Sequence, residues 1–351
     1  MHKKNTAANA TAKDTPRLVV LGIESTAHTF GVAILEGKTI LANEKLAYTT
    51  ESGGMIPAKV GLHHEAAYLP VLQQALQKSG KKLSEIQLVA FSDAPGLGHA
   101  LRIGAAAARS LSLELGVPLV GVNHCIAHLE IASLVTAAAD PVLLYCSGAN
   151  TQVIAYDQGK YRVFGETLDT GVGNFLDTVA RDMGLGFPGG PKIESLSLGA
   201  IIDGRLPELI SLPYTVKGMD VSFAGLQTNV LQKIQSGSYT QEDLAYSIQE
   251  SVFAMLVEIA ERAMAHIGKS ELVLGGGVAC NKRLQAMCEL MCRERGAKFF
   301  CPENQFLVDN AAMIAWTGSI MHLLGGISVD PQLSKIKPYE RTDEIIVCWK
   351  N

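Results

Sequence analysis

The sequence predicts an α/β protein of two duplicated lobes, with a ligand cleft between them. Its 351 residues exceed twice the length of a typical domain. Apolar runs typical of buried strands alternate with helical stretches, which indicates partly parallel sheets covered by helices. A strand–turn–strand–turn–strand pattern also occurs twice, and its segments 37–44 and 159–166 have the same spacing. This recurrence indicates an internal duplication.

The first lobe is predicted to span residues 17–139. It opens with the apolar strand LVVLGIES, and FGVAILEGKTIL follows as a hairpin with its turn at Gly37 and Lys38. Helices are predicted over residues 63–78 and 102–115, and the strands LVAFSD and LVGVN follow them in turn. Because open α/β sheets bind ligands at their strand ends, two such sheets facing each other would form a cleft.

The second lobe is predicted to span residues 140–330. The run PVLLYCSGANTQVIAYDQGKYRVFGETL repeats the strand pattern, and a Gly-rich segment, a helix over 242–266 and the strand LVLGGGV follow. A further helix is predicted to start near Cys280 or Asn281. Residues 310–329 lack Asp, Glu, Lys and Arg, and we expect a buried helix that ends at Gly325 and Gly326 rather than a membrane span. This last helix is predicted to pack back on the first lobe.

The composition limits the class of protein. Hydrophobic residues make up 48% and charged residues 18%, which excludes a disordered or fibrous chain. The net charge is −4, so any contact with nucleic acid must use a local patch or partner subunits. Seven cysteines without a CxxC pair are typical of reduced thiols, and the pair Cys288 and Cys292 is interpreted as packing.

The two ends of the chain are interpreted separately. Residues 1–16 have no apolar core, so we expect a disordered tail rather than a signal peptide. Residues 331–351 are predicted to form a C-terminal extension. Together with the cysteine pattern, these features predict a cytoplasmic protein without a membrane partner.

Four turns have the composition of an anion or nucleotide site. They lie at residues 24–26, 147–151, 171–174 and 275–277. Glycines let backbone N–H groups approach a phosphate, and a helix N-terminus adds a favourable dipole. Asn174 or Thr170 is predicted to cap the helix that contains Asp177. Each turn alone is typical of an ordinary tight turn, but four together favour a nucleotide site.

The segment NHCIAH contains two histidines four residues apart. On a helix, His124 and His128 would project from one face and could bind one metal ion, although two ordinary helix-start histidines give the same pattern. A zincin protease needs glutamate directly after the first histidine, and Cys125 stands there instead. Asp309, before the last apolar helix, is either a third ligand or simply a charge at a helix N-terminus.

Two other polar clusters have simpler interpretations. His63 and His64 diverge on a helix and are interpreted as solvated residues at a helix start. A basic strip could face nucleic-acid phosphates, but a charged, solvated helix face is the favoured interpretation. The strip consists of Lys282, Arg283, Arg293, Arg295 and Lys298.

Several motifs, present in order from about residue 18 to the C-terminus, resemble the tRNA threonylcarbamoyladenosine synthase family (TsaD-like), once labelled O-sialoglycoprotein endopeptidases. They are VNHCIAHLEIA, YCSGANTQVIAY, LDTGVGNFLDTVARDMGLGFPGGPKIE, KGMDVSFAGLQT, GGGVACNKRL and VDNAAMIAWTG. The ending PYERTDEIIVCW and the KGMDVSF segment resemble the archaeal and eukaryal branch, the catalytic subunit of the KEOPS complex. The resemblance implies two ribonuclease-H-like lobes of the actin/hexokinase/heat-shock-ATPase (ASKHA) superfamily.

The resemblance also implies a metal-dependent acyltransferase. It would transfer the threonylcarbamoyl group from threonylcarbamoyl-AMP to N6 of the adenosine next to the anticodon, in tRNAs that read ANN codons. A separate synthase would make the donor. The implied companions are KEOPS-type subunits, namely a Bud-type kinase, a small dimerising subunit and a regulatory subunit.

Site residues follow from the resemblance position by position. His124, His128 and Asp309 match the ligands of one iron or zinc ion, and Tyr145 matches a further oxygen ligand. No separate general base is assigned, and magnesium accompanying ATP is left open. The positions that match contacts to ATP or to the AMP moiety are Tyr145, Cys146, Ser147, Gly148, Ala149, Asp177, Gly190, Glu194, Gly276 and Asn281.

Three alternatives remain at the level of sequence. The chain could be a nucleotide-binding scaffold without turnover on its own. It could be a metalloprotease, which Cys125 disfavours. It could also be a kinase-like phosphotransferase, because this fold hosts such enzymes and fold does not determine function.

Overall fold

The computed structural model describes residues 17–50, 56–202 and 207–350, without the side chains of 200–202. The predicted N-terminal tail, residues 1–16, lies outside the described residues. In the first half of the chain the strands are β1 (Val19–Glu24), β2 (Thr29–Glu36), β3 (Thr39–Ala47), β4 (Leu88–Ala94) and β5 (Leu119–Asn123). The helices there are α1 (Pro57–Ser79), α2 (Gly98–Leu115) and α3 (His124–Val135).

The second half repeats this succession with additional helices. Its strands are β6 (Val142–Cys146), β7 (Thr151–Asp157), β8 (Lys160–Glu166), β9 (Val216–Lys217), β10 (Asp220–Val221), β11 (Glu271–Gly275) and β12 (Lys298–Phe300). Its helices are α4 (Val172–Asp182), α5 (Gly190–Ile202), α6 (Ala224–Ser236), α7 (Gln241–Ile267), α8 (Lys282–Glu294), α9 (Asn304–Leu307) and α10 (Ala311–Gly325).

The two main sheets have the same topology, so the predicted duplication is confirmed. The first sheet has the order β3-β2-β1-β4-β5, and the second has the order β12-β11-β6-β7-β8, which is the same arrangement read from the other edge. In each sheet the first three strands are antiparallel, and the remaining two run parallel to the first. Even the bulges correspond, at Ile34/Leu35 in one hairpin and Val153/Ile154 in the other.

Helices α3 and α10 lie between the two sheets. One apolar core joins residues of both sheets with these helices, and separate cores lie on the outer side of each sheet. Helix α10 approaches β1 so closely that a Cβ on Gly22 would collide with the backbone of Ala311 and Ala315. This helix is therefore held against the first sheet by close packing of small residues.

Most helix boundaries agree with the sequence prediction. Helix α8 starts at Lys282 with Asn281 as its cap, which agrees with the predicted start near Cys280 or Asn281, and α10 ends at Gly326 in the left-handed conformation. The predicted cap of α4 is wrong, because neither Thr170 nor Asn174 caps it. The hydroxyl of Thr151 in β7 instead accepts a hydrogen bond from Val172 N at 2.8 Å. No helix among the described residues has the length and apolarity that a membrane crossing requires.

Two predictions about charged or polar surfaces have different outcomes. His64 is fully buried beside the ring of Phe30, so its interpretation as a solvated residue is wrong; the exposed neighbours in sequence gave no sign of this. In the basic strip, Arg283 makes two 2.6 Å contacts to Glu250. Arg295, at the end of α8, pairs with Glu261, which favours the interpretation as a charged helix face, whereas Lys298 lies in β12 and pairs with Glu271.

Candidate functional site

Helix α3 begins at the first histidine of the NHCIAH segment because the preceding residue caps it. The side chain of Asn123 accepts hydrogen bonds from the N–H groups of Cys125 at 3.1 Å and Ile126 at 3.4 Å. His124 and His128 consequently lie one turn apart on the same face, with ring centroids 4.8 Å apart. Both side chains are buried.

Two oxygen-bearing side chains from distant segments of the chain lie next to these histidines. Asp309 precedes α10, and its Oδ1 lies 3.3 Å from His124 Nε2 and 3.7 Å from His128 Nε2. Tyr145 lies in β6 of the second sheet, and its hydroxyl is 3.1 Å from His124 Nε2. The structure therefore brings the four predicted ligands together between the two sheets.

The charges in this cluster are strongly coupled. Burial alone would lower the pKa of His124, but the Tyr145 oxygen and the carboxylates of Glu24 and Asp309 hold it well above its usual range. Burial lowers the pKa of His128 despite Asp309. Burial would raise the pKa of Asp309, but the two histidines hold it well below its usual range. The two imidazoles thus differ in the direction of their pKa shifts, although both face Asp309.

The donor set fits a transition-metal ion. Both ring nitrogens of buried His128 lack a hydrogen-bond partner among the described residues. A buried polar group without a hydrogen bond is costly, and the nearest charged group to Nε2 is Asp309 Oδ1 at 3.7 Å, so the site favours an additional ligand between them. Donor atoms of His124, His128 and Asp309 all lie within 4.8 Å of one another. Two imidazoles with carboxylate and phenol oxygens suit zinc or iron.

Three Gly-rich segments of the second lobe meet beside this cluster. The loop after β6 lies on the N-terminus of α4, where Gly173 N donates to Ser147 O at 3.0 Å and Asn174 N donates to Gly148 O at 2.9 Å. On its other side, Gly276 adopts a φ of +89°, and a Cβ there would collide with the carbonyl of Cys146. Gly276 therefore needs both a positive φ and the absence of a side chain.

The tip of the loop after β6 offers unused hydrogen-bond donors. No described residue accepts a hydrogen bond from the backbone N–H of Gly148 or Ala149, and both residues are exposed. Ser147 stabilises the turn by accepting from Asn150 N through its hydroxyl at 3.1 Å. Free N–H groups in a fixed turn are suited to binding an anion.

The other residues assigned to the nucleotide lie around the starts of α5 and α8. Asp177 Oδ1 accepts from Gly189 N at 2.7 Å, next to Gly190, which begins α5. Glu194 Oε1 accepts from Lys282 N at 2.7 Å, beside Asn281. Burial raises the pKa of Asp177. Each of these groups is thus fixed by backbone contacts in the second lobe, and Cys146 is a buried core residue.

The first of the four predicted turns does not offer free amides. Ser25 N donates to Ser92 Oγ at 3.0 Å, and Thr26 N donates to Glu24 Oε1 at 2.7 Å. Glu24 Oε2 instead lies 3.0 Å from His124 Nδ1. Sequence reasoning missed this contact, although an acidic residue at the end of a buried strand was a signal for it.

A second residue missed by sequence reasoning lies at the rim of the site. Lys45 Nζ donates to the backbone carbonyl of Asp309 at 3.3 Å. Partial desolvation at this rim lowers the pKa of Lys45, and the carboxylate of Asp309 opposes that shift. Its position in the exposed strand β3 gave no sign of this proximity.

Solved structures of known proteins share this fold at low sequence identity. HypF from Thermococcus kodakarensis aligns with a TM-score of 0.60 at 14% identity, over 87% of this chain and 48% of its own. Component A of (R)-2-hydroxyglutaryl-CoA dehydratase from Acidaminococcus fermentans aligns with a TM-score of 0.53 at 15% identity, over 86% of this chain and 98% of its own. The predicted actin/hexokinase/heat-shock-ATPase fold of two lobes is thereby confirmed.

Comparison of sequences gives a more specific result than comparison of folds. The family model TsaD, tRNA N6-adenosine threonylcarbamoyltransferase, matches residues 39–316. The protein of that name from Thermococcus kodakarensis is 51% identical over 332 residues, covering 95% of this chain and 100% of the relative. A probable bifunctional tRNA threonylcarbamoyladenosine biosynthesis protein from Methanothermobacter thermautotrophicus is 49% identical, covering 95% of this chain and 61% of that protein. The chain therefore belongs to the tRNA N6-adenosine threonylcarbamoyltransferase family.

Proposed function

We propose that this chain transfers the threonylcarbamoyl group of threonylcarbamoyl-AMP to N6 of the adenosine next to the anticodon, in tRNAs that read ANN codons. Membership of the family supports the reaction. The observation that carries the site is the cluster of His124, His128, Tyr145 and Asp309, which lies beside the free amides of the loop after β6.

His124 and His128 would hold one iron or zinc ion through Nε2, with Asp309 and Tyr145 as oxygen ligands. Both metals accept such a donor set, so the choice between them stays open. When bound, the ion supplies Lewis-acid chemistry to a carbonyl or carboxylate of the donor. The chain contributes a buried, preformed cluster that keeps these side chains in place before substrate arrives.

The AMP part of the donor would lie across the second lobe. The N–H groups of Gly148 and Ala149 are suited to its phosphate. The carboxylates of Asp177 and Glu194 are suited to ribose hydroxyls, and Gly190, Gly276 and Asn281 would line the rest of the nucleotide site. Free ATP would use the same surface. Holding the donor in one orientation turns the attack into an effectively intramolecular step.

The transfer itself forms one bond and breaks another. The N6 nitrogen of adenine attacks the carbamoyl carbon, a new C–N bond forms, and the C–O bond to the phosphate of AMP breaks. AMP leaves as a phosphate anion, and the proton that N6 loses passes to this phosphate or to water. Because AMP is a good leaving group, we assign no general acid, and no separate general base is assigned either.

The acceptor is a folded RNA, so one side of the cleft must remain open to the anticodon loop. With a net charge of −4, this chain has no general basic field to hold tRNA. We therefore propose that KEOPS-type companions supply much of the tRNA contact: a Bud-type kinase, a small dimerising subunit and a regulatory subunit. A cytoplasmic location stays a prediction.

Nucleoside mass spectrometry of unmodified tRNA tests the proposal. The tRNA is incubated with threonylcarbamoyl-AMP, the companion subunits and one of three proteins: wild type, the double variant His124→Ala/His128→Ala, or His99→Ala. His99 is exposed on α2 and serves as the matched histidine control. We expect threonylcarbamoyladenosine from wild type and His99→Ala, and none from the double variant.

Two outcomes would contradict the proposal in different ways. Product from the double variant after metal removal would refute a metal-centred transfer. No product from wild type, with all companions present and nucleotide bound, would indicate the scaffold alternative. The protease alternative gains no support, since Cys125 occupies the position of the zincin glutamate and is buried.

A further inference from the structure

Glu24 is a buried carboxylate whose two oxygens serve different groups. It ends β1 and is completely inaccessible to solvent. Its Oε1 accepts hydrogen bonds from Thr26 N at 2.7 Å and from Thr26 Oγ1 at 2.5 Å. Its Oε2 lies 3.0 Å from His124 Nδ1. The hydrogen bonds from Thr26 to Oε1 already stabilise the turn after β1. The contact of Oε2 with His124 therefore points to a second role.

The imidazole of His124 is held from both sides. Its Nδ1 faces Glu24, with Thr26 Oγ1 also 3.1 Å away, and its Nε2 faces Tyr145 and Asp309. The neighbouring His128 has no such partner at Nδ1 among the described residues. The turn between β1 and β2 thus orients His124 through hydrogen bonds. The orientation of His128 depends on packing alone on its Nδ1 side.

We propose that Glu24, supported by Thr26, is a positioning residue that keeps a proton on His124 Nδ1 and thereby keeps the lone pair of Nε2 directed at the metal centre. This inference rests on the proposed function, since it assumes a metal held by His124. A metal-binding imidazole must be neutral with its free lone pair on the nitrogen facing the metal. A carboxylate that accepts from the opposite nitrogen secures that form and makes the ligand more basic.

The energetic cost of this carboxylate supports a functional role. An ionised group without access to water is expensive unless it is fully hydrogen-bonded, and an apolar residue could end a buried strand without that cost. Glu24 and His124 are also 100 positions apart in sequence. The contact therefore joins the end of β1 to the start of α3, which carries both histidines.

Zinc affinity tests this role without relying on activity. Zn²⁺ binding is measured by competition with a chelating dye for wild type, Glu24→Gln, Thr26→Val and Ser92→Ala. An amide has one acceptor oxygen, so in Glu24→Gln either Thr26 or His124 faces an NH₂ group. We expect affinity to fall about 10- to 100-fold in Glu24→Gln and less in Thr26→Val. Ser92→Ala removes a hydrogen bond of the same turn without touching His124, and should keep affinity within about twofold.

A spectroscopic signature separates positioning from a loss of structure. In the Zn²⁺-loaded wild type, NMR should show a downfield, slowly exchanging His124 Nδ1 proton. That resonance should move or broaden in Glu24→Gln and persist in Ser92→Ala. Glu24→Asp keeps the charge and should restore part of the affinity. Thermal unfolding of each metal-free variant monitors folding, and Thr26→Val and Glu24→Asp decide the outcome if Glu24→Gln does not fold.

The outcomes distinguish this inference from the proposed function. Wild-type zinc affinity in Glu24→Gln, with an unchanged Nδ1 proton, would overturn the role of Glu24 and leave the metal centre intact. Wild-type protein that binds neither Zn²⁺ nor Fe²⁺, or a His128→Ala variant that binds Zn²⁺ equally well, would overturn the metal centre itself and with it the role of Glu24.

Discussion

His64 is buried in α1, and its environment disfavours its charged form. Burial, together with the neighbouring His63 and His28, lowers the pKa of His64 from 6.5 to about 4. The unfolded chain should protonate this residue near its ordinary value. Between these two pH values the unfolded state therefore binds a proton that the folded state does not bind. The stability that His64 contributes is fully present above its pKa in the unfolded chain. It is lost as the pH falls through its pKa in the folded protein.

We expect this single residue to make the protein sensitive to acid. The free energy of unfolding of wild type, relative to that of His64→Gln, should fall by about 3 kcal/mol between pH 7 and pH 4. Chemical denaturation of both proteins across this range measures the difference. A difference that does not vary with pH would contradict the prediction.

At the scale of the element, α3 depends on its first turn. Asn123 ends β5 and caps α3, so one residue terminates a strand of the first sheet and starts the helix with both candidate ligands. The helix runs through apolar surroundings on every side, since residues 124–132 are all buried. Its start is consequently fixed by a side-chain cap rather than by an amphipathic pattern.

Removing this cap should destabilise the protein without changing its fold. Asn123→Ala leaves the N–H groups of Cys125 and Ile126 without an acceptor, and we expect a loss of about 1 kcal/mol in unfolding free energy. Asn123→Ser retains a capping oxygen and should recover most of that loss. Denaturant titrations measure both variants. Equal losses in the two variants would show that the cap is not the cause.

At the scale of the whole molecule, a second buried carboxylate links both lobes to the C-terminal extension. Glu130 of α3 accepts hydrogen bonds from the hydroxyl of Tyr161 in β8 and from Trp349 Nε1, the latter at 2.9 Å. Lys350 Nζ lies 3.3 Å from the same carboxylate. The backbone carbonyl of Glu130 accepts from Trp316 Nε1 of α10 at 3.0 Å. The last residues therefore stabilise the junction of the two sheets.

Disrupting this junction should lower stability by more than the position of Trp349 near the chain end suggests. Trp349→Phe keeps an aromatic ring but removes one hydrogen bond to a buried charge, and we expect a loss of about 2 kcal/mol. In a Glu130→Gln background the same change should cost less, because the two residues interact directly. Denaturant unfolding measures the three variants.

A neighbouring exposed residue is the control for this junction. Ile346 lies in the same extension with 75% of its surface exposed, and Ile346→Ala should change the unfolding free energy by less than about 0.5 kcal/mol. Similar losses for Trp349→Phe and Ile346→Ala would contradict a specific role for the junction.

The sequence by itself determined the duplicated strand pattern, the main helices and their principal ends. These features depend on short-range periodicity and on residues such as Asn281 and Gly326, whose conformational preferences act within one turn. It also placed His124 and His128 on one helix face, because their spacing matches the helical repeat. The assignment of Asp309 and Tyr145 came from the family resemblance, since no spacing rule connects them to α3.

Only the tertiary structure decided which distant groups meet. The contact of Glu24 with His124, the capping of α4 by Thr151 and the burial of His64 each depend on which sheet faces and strand ends come together. The contact of Trp349 with Glu130 spans 219 positions. Local sequence could not reveal these contacts, because the burial and the partner of a side chain are properties of the packed molecule and not of its neighbours in the chain.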